Sequence, residues 1–256
     1  ALALTWVPGP VDGQVSTGLV PLTDLLSPYL GLGEPGLYPG GSNLPAGDHL
    51  TYGLARAAQV VPRDATGAPA ADGWIGLVAL GMSNANQEWS RFERESDRLA
   101  AHAARVVLVD AAQGGTDALA MDDASDPYWL LFDNRLAAAG VDPEQVQVVW
   151  LKQSIEGEAT IGNFPQRTDA LRTALAAITT ILTSRCPNLQ LIYLSSRIWA
   201  PNPARTTFVY ETGFAVKGLI ADQIADFGGP PGGLGSGPWL GWGPYLWAEG
   251  AIPRSD

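Results

Sequence analysis

The sequence holds one cysteine, Cys186, two histidines, His49 and His102, and two lysines, Lys152 and Lys217, among 256 residues. A lone cysteine excludes a disulfide framework and a Cys-rich metal site, and Cys186 reads as a small core residue at a helix end. Two distant histidines and scattered aspartates offer no ligand spacing, so neither a metal nor another cofactor is expected. No apolar run reaches the ~18 to 20 residues that a membrane span needs. Positive charge is also scarce: 15 Lys+Arg stand against 26 Asp+Glu, a formal net charge of −11. Such a chain repels phosphate backbones and anionic lipid, which argues against nucleic acid and membrane surfaces as partners and favours a neutral small molecule.

What the chain has in quantity is glycine, proline and tryptophan: 30, 20 and 9 residues. That composition suits a loop-rich, aromatic-lined protein of the exported kind. The opening Ala1-Leu2-Ala3-Leu4 agrees with a trimmed signal peptide or simply with a chain cut at that point; with the composition, a secreted or periplasmic location is the expectation. The length fits one large α/β domain over 1–256. Prolines from Pro8 to Pro69 punctuate 1–73 and permit only short elements. This stretch therefore reads as an N-terminal wrap with one short helix from Leu50 to Ala58. Gly31-x-Gly33-x-x-Gly36 matches a dinucleotide fingerprint in spacing alone, because no strand precedes it and Pro35 occupies the helix start.

From Trp74 onward, apolar runs alternate with helical patterns. Strands are predicted near 75–80, 106–110, 147–152 and 190–195. Helices are predicted after Ser83, around Tyr128 to Ala139, from Gln166 to Arg185 and from Tyr210 to Asp226. Leu171, Leu175, Ile178 and Leu182 recur at steps of four, three and four, which marks one face of the third of these helices. Strands alternating with helices imply right-handed crossovers and a mostly parallel sheet covered on both faces, a three-layer α/β/α fold.

Three consecutive strand tips carry the chemistry. Trp74 to Gly81 delivers Ser83 and Asn84 to the carboxyl edge of the sheet, where open α/β sheets bind ligands. The second tip is Gly114-Gly115-Thr116, and the third is Lys152-Gln153 after Trp150. Each has a structural reading beside the chemical one: Ser83 as a helix N-cap, the glycine pair as an ordinary turn, Gln153 as a loop-capping amide. Arg197 after the fourth strand and Tyr210-Glu211 at the next helix start reach the same edge. They read as substrate contacts or as a surface ion pair and a helix-start carboxylate. Trp239, Trp242, Tyr245 and Trp247 either wall a sugar or aryl group or pack a loop over the sheet edge.

In this order the tips resemble the SGNH/GDSL hydrolase superfamily, of flavodoxin-like fold. From about Leu32 onward the chain looks like a little-characterised bacterial branch with Gly81-Met82-Ser83-Asn84 in place of Gly-Asp-Ser. The resemblance implies a serine esterase acting on a carboxylic ester or a carbohydrate O-acetyl group. Ser83 would be the nucleophile, and the oxyanion hole would come from the N–H groups of Ser83 and Gly115 and the Gln153 amide, with Gly114 as the other register. Acyl transfer needs such convergent donors because the charge developing on the carbonyl oxygen dominates the barrier. Asn84, Gly114, Lys152, Arg197, Tyr210 and Glu211 would line the substrate. Met82 stands where the family has Asp.

The family's last block, Asp-x-x-His-Pro, supplies base and orienting carboxylate, and no such stretch occurs in the sequence. In the resembling branch the chain runs several dozen residues further, so a truncation, proteolysis or an unseen tail is expected. His102 reads as structural, near the amino edge of the sheet. His49 becomes the base only if the wrap folds over Ser83. The competing class is a catalytically incomplete fragment of the fold, or a structural or carbohydrate- or ligand-binding protein that kept the fold and lost catalysis. Oligomeric state, acyl length and alcohol are not legible.

Overall fold

The structure is a computed structural model, and it describes residues 19–98, 104–156, 161–197, 207–227, 229 and 233–247. Five strands form one sheet: β1 (Ile75–Gly81), β2 (Val106–Asp110), β3 (Val146–Lys152), β4 (Leu191–Leu194) and β5 (Trp239–Trp242). All neighbours are parallel, in the order β2-β1-β3-β4-β5. This is the doubly wound order in which strand direction of travel reverses at β1, leaving a crevice beyond the tips of β1 and β3. The five helices are α1 (Gly47–Ala57), α2 (Ser83–Ser96), α3 (Pro127–Ala139), α4 (Gln166–Arg185) and α5 (Thr207–Ala225).

Side-chain alternation along the strands sorts the helices into two layers. Val78, Leu80, Val149, Leu151, Ile192, Leu194 and Leu240 point into the larger core with residues of α3, α4 and α5. Val148, Leu191 and Trp239 face the other way, against Tyr52 of α1 and the partly buried Leu77 and Tyr193. Trp89 of α2 stacks over Trp150 on that same face, with ring centroids 6.0 Å apart. Because central parallel strands are covered on both sides, β1, β3 and β4 read as nearly unbroken apolar runs; the edge strand β2, where only Val109 is buried, is visible from its mostly β-branched Val106-Val107-Leu108-Val109 run.

The helix bounds follow from ordinary chain chemistry. Pro127 opens α3 and Gly140 ends it in the left-handed region at φ 69°. Leu171, Leu175, Ile178 and Leu182 are all buried, as their spacing requires. Cys186 caps α4, and burial pushes its thiol up to about 12, so it is an inert core residue.

Three expectations change. Helix α5 begins at Thr207 rather than Tyr210, so Glu211 lies beyond its first turn and is not a helix-start carboxylate. The wrap helix begins at Gly47 rather than Leu50. The Trp239–Trp242 run is an edge strand and not a loop. Its glycine and proline surroundings hide it, and only four residues pair. The aromatic run is spent on packing. Trp242 Nε1 donates to Leu37 O at 2.7 Å, and Tyr245 Oη accepts the Leu22 N–H at 2.8 Å. These bonds fasten the N-terminal wrap to the edge of the sheet.

His49 belongs to the same fastening. Its ring is 3% exposed, and Nε2 donates to Leu240 O of β5 at 2.9 Å. Strand β5 is three places from β1, roughly 14 Å at ordinary strand spacing, so His49 does not reach Ser83. Burial holds its pKa below the usual value, opposed by the bond to Leu240. The unfolded chain, with an ordinary pKa of about 6.5, therefore takes up a proton that the fold refuses. Stability is full above that pH and falls as pH drops through the depressed folded value. Urea unfolding at a series of pH values should show this slope, and His49→Gln, which keeps a donor for Leu240 O, should flatten it. An unchanged slope in the variant would assign the acid sensitivity elsewhere. His102 lies outside the described residues.

Candidate active site

The strand β1 ends at Gly81, which approaches two neighbours at once: a Cβ there would overlap the Lys152 carbonyl oxygen and lie 2.5 Å from Ala85 Cβ. Only glycine lets β1 pass this close to β3 and turn directly into α2. The turn is so tight that Met82 is the N-cap and Ser83 the first helical residue, with no side-chain capping bond. The capping reading of Ser83 is thus corrected: its hydroxyl is not used by the helix. Ser83 is exposed, and its hydroxyl has no hydrogen-bond partner among the described residues.

The first helical bond of α2 runs from Asn86 N–H to Met82 O at 3.1 Å. The N–H groups of Ser83, Asn84 and Ala85 consequently project from the first turn, where the helix is partly positive and favours an oxygen bearing negative charge. Asn84 is half-buried beside them. From β2, Gly114 packs against Ser83, with a virtual Cβ 3.6 Å from Ser83 Cβ. Gly115 has φ 77°, a conformation that needs glycine, and open space within 4 Å of where its Cβ would be. Ser83 therefore adjoins Gly114 at the carboxyl edge, with Gly115 next in the turn, and all three are exposed.

The third strand tip departs from expectation. Gln153 is 3% exposed. Its Nε2 donates to Thr116 O at 3.0 Å and to Met121 Sδ at 2.7 Å, and its Oε1 accepts the Ser154 N–H at 3.1 Å. Both amide hydrogens are thus committed inside the protein, and the amide is not a free oxyanion donor in this conformation. Alternation along β3 explains it: Gln153 shares the face of Val149 and Leu151, turned away from α2.

Lys152 takes the opposite face and is also corrected as a substrate contact. It is 2% exposed, and Nζ holds both oxygens of Glu88 on α2, at 2.6 and 2.7 Å. Burial pulls its pKa below the usual lysine value, and Glu88 opposes that shift. Tyr210 is buried and spent on the wrap. Its Oη donates to Val20 O at 2.7 Å and accepts the Val20 N–H at 3.2 Å, while its ring stacks on Tyr29 at 4.3 Å. Glu211, 2% exposed, lies 3.8 Å from Arg167 of α4 and forms an interhelical ion pair rather than a substrate contact. Arg197 does reach the carboxyl edge, where its Nη1 donates to Glu156 at 3.1 Å and to Ser154 Oγ at 3.4 Å. Met82, in the place of the family's Asp, is buried with its sulfur accepting from Ser154 Oγ at 3.4 Å.

Sequence reasoning missed Glu88 as the partner of Lys152, and Asn86, whose Nδ2 donates to Asp110 at 2.5 Å at the tip of β2. Neither had a local signal, since each partner lies on another element. An aromatic-walled groove of about 640 Å³ exists on the α2 face, but Trp89, Phe92, Trp150 and Tyr193 wall it with Leu77 and Val148. Among the described residues there is no cluster of His, Cys, Asp and Glu able to hold a metal ion, and no helix long and apolar enough to cross a membrane.

No family model matches the chain, and no curated protein matches it. Two solved structures are similar in outline. One is a proposed acylhydrolase of Bacteroides fragilis, 10% identical, covering 71% of this chain and 76% of its own, with a TM-score of 0.39. The other is a GDSL-like lipase of Bacteroides thetaiotaomicron, 11% identical, covering 70% and 74%, with a TM-score of 0.36. At those scores neither likeness adds to what the sheet order itself establishes, a doubly wound α/β fold with Ser83 at the tip of β1.

Proposed function

We propose that this chain is a serine ester hydrolase of the SGNH/GDSL kind, acting through an acyl-Ser83 intermediate on a carboxylic ester such as an O-acetylated carbohydrate. The observation that carries the reading is an exposed serine at the first helical position of α2, not used as a cap, against the Gly114–Gly115 turn at the switch point of the sheet. Such a serine has no evident task in holding the fold.

In the reaction, Ser83 Oγ attacks the ester carbonyl carbon and its proton passes to a base. The carbonyl oxygen becomes negative and is met by the N–H groups of Ser83 and Gly115. Collapse of the tetrahedral species breaks the bond to the alcohol, which takes the proton and leaves; water then releases the acid and restores Ser83. Gln153 is not given a direct role, because its donors are engaged elsewhere. In the resembling family an Asp-x-x-His block supplies that base; no such stretch occurs among the 256 residues.

A second reading is favoured by one observation: the described histidine is locked on β5, away from Ser83. On this reading the chain binds a carbonyl or anionic group at the same edge without turnover. A fluorophosphonate probe separates the two. The protein expressed from its complete reading frame should be labelled at Ser83, located by peptide mass spectrometry. Absence of a Ser83 adduct, with the protein folded, would leave the binding reading standing.

A further inference from the structure

We infer that Gln153 is a positioning residue, the latch that fixes the Gly114–Gly115 turn beside Ser83. The inference rests on the proposed hydrolase reading for its catalytic meaning and on hydrogen-bond geometry for the latch itself.

Strand β1 lies between β2 and β3, yet the loops that follow β2 and β3 bond directly to each other. Gln153 Nε2 donates to Thr116 O at 3.0 Å, Ala118 N–H donates to Ser154 O at 3.0 Å, and Glu156 N–H donates to Asp117 Oδ2 at 2.9 Å. The loop after β1 is tied in as well, through Ser154 Oγ and Met82 Sδ. The glycine pair sits between two anchors. On one side Gln113 N–H donates to Gly81 O at 2.8 Å; on the other, Gln153 holds Thr116 O.

Glycine has the widest conformational freedom of any residue, so an unanchored Gly-Gly turn samples many directions for its N–H groups. Anchoring both ends restricts them before substrate arrives, which is what an oxyanion donor requires. Gln153 suits this task because its own placement is fixed twice more, by the Ser154 N–H on Oε1 and by fully buried Met121 on Nε2. A direct oxyanion donor would keep one N–H turned toward the open space at Ser83; Gln153 turns both inward.

The test uses the protein from its complete reading frame and two variants. Gln153→Met keeps length and apolar contact with Met121 but removes the amide. Gln153→Glu places a carboxyl group there, able to donate to Thr116 O only when protonated. Hydrogen exchange over residues 113–118 in the free protein reads the latch, and p-nitrophenyl acetate kinetics read its consequence. In Gln153→Met, exchange of the hydrogen-bonded Gln113, Thr116 and Ala118 amides, which donate to Gly81 O, Gln113 O and Ser154 O, should accelerate at least about tenfold while that of the β3 amides is unchanged. The kcat value should fall about 10- to 100-fold with KM within about twofold, the cost of donors misplaced by an ångström or less. In Gln153→Glu, protection of the same amides should be low at pH 7 and return as the solution is acidified, a pH dependence that a packing role would not produce.

Unchanged exchange in Gln153→Met overturns the latch. Lost kcat with unchanged exchange makes Gln153 a direct donor and equally overturns it, as does faster exchange with full kcat. If either variant fails to fold, the other decides. If wild-type protein is not labelled at Ser83, the hydrolase reading fails separately, and the exchange measurement still decides the latch.

Discussion

Ser83→Ala is expected to bring hydrolysis of p-nitrophenyl acetate by the full reading-frame protein down to the assay background. Removing the nucleophile of a complete serine hydrolase costs on the order of 10⁶-fold in kcat. What remains comes from oxyanion stabilisation and binding, a residual ~10³ to 10⁴ over water. The substitution is a clean probe here because Ser83 is exposed and its hydroxyl does not cap α2. Thermal unfolding should hardly move, since alanine is a good helix former and no described hydrogen bond is lost. The pair of results matters more than either alone: full stability with no turnover places Ser83 in the chemistry. Equal rates in the two proteins would remove it from the mechanism. A large loss of stability would show that the hydroxyl has a structural partner and would weaken the case for a nucleophile.

How far the sequence leads depends on the range of the signal. Strands β1, β3 and β4 were legible because burial on both faces makes each an apolar run, edge strand β2 because its Val106–Val109 run is apolar and mostly β-branched though mostly half-buried, and α4 because its apolar spacing is regular over 20 residues. Strand β5 was not, because four residues in a Gly/Pro-rich stretch carry no periodicity. The site divides along the same line. Ser83 and the Gly114–Gly115 turn were recognisable from strand-tip position and from glycine chemistry. Gln153 and Lys152 were placed at the right strand tip and Tyr210 and Glu211 on the right helix, though inside it rather than at its start, and the direction of each side chain was not legible. Period-two alternation sends Lys152 to α2 and Gln153 to the opposite core, and which face is which depends on distant partners such as Glu88 and Met121. Polar residues near a sheet edge look alike in sequence whether they meet substrate or hold loops together. Here several of them hold loops, which leaves fewer candidates for the proposed chemistry than the strand tips suggested.

Gly81→Ala should give the largest loss of stability of any single methyl group added near the site. The added Cβ has two obstacles, and neither is a flexible side-chain tip. One is the backbone carbonyl of Lys152 in β3; the other, 2.5 Å away, is Ala85 Cβ in the first turn of α2. Relief requires β1 to part from β3 or α2 to move off the sheet. A small-to-large change of this kind costs about 3 kcal/mol, a fall of about 6 to 12 °C in Tm for a chain of this size. Function should suffer beyond stability. Gly81 O also accepts the Gln113 N–H at 2.8 Å, so the residue joins the β1 tip to the loop that carries Gly114 and Gly115. A shift at Gly81 moves Ser83 and its neighbouring donors relative to one another, and a misplacement near an ångström is worth about 10²-fold in rate. Thermal unfolding and fluorophosphonate labelling at a temperature where the variant is folded separate the two effects. A Tm within about 2 °C of wild type would mean that the β1–α2 turn has slack that its close contacts do not suggest. A lowered Tm with an undiminished labelling rate would mean that the serine and the glycine turn move together, so that the site depends on the loops stitched over β1 more than on the strand beneath them.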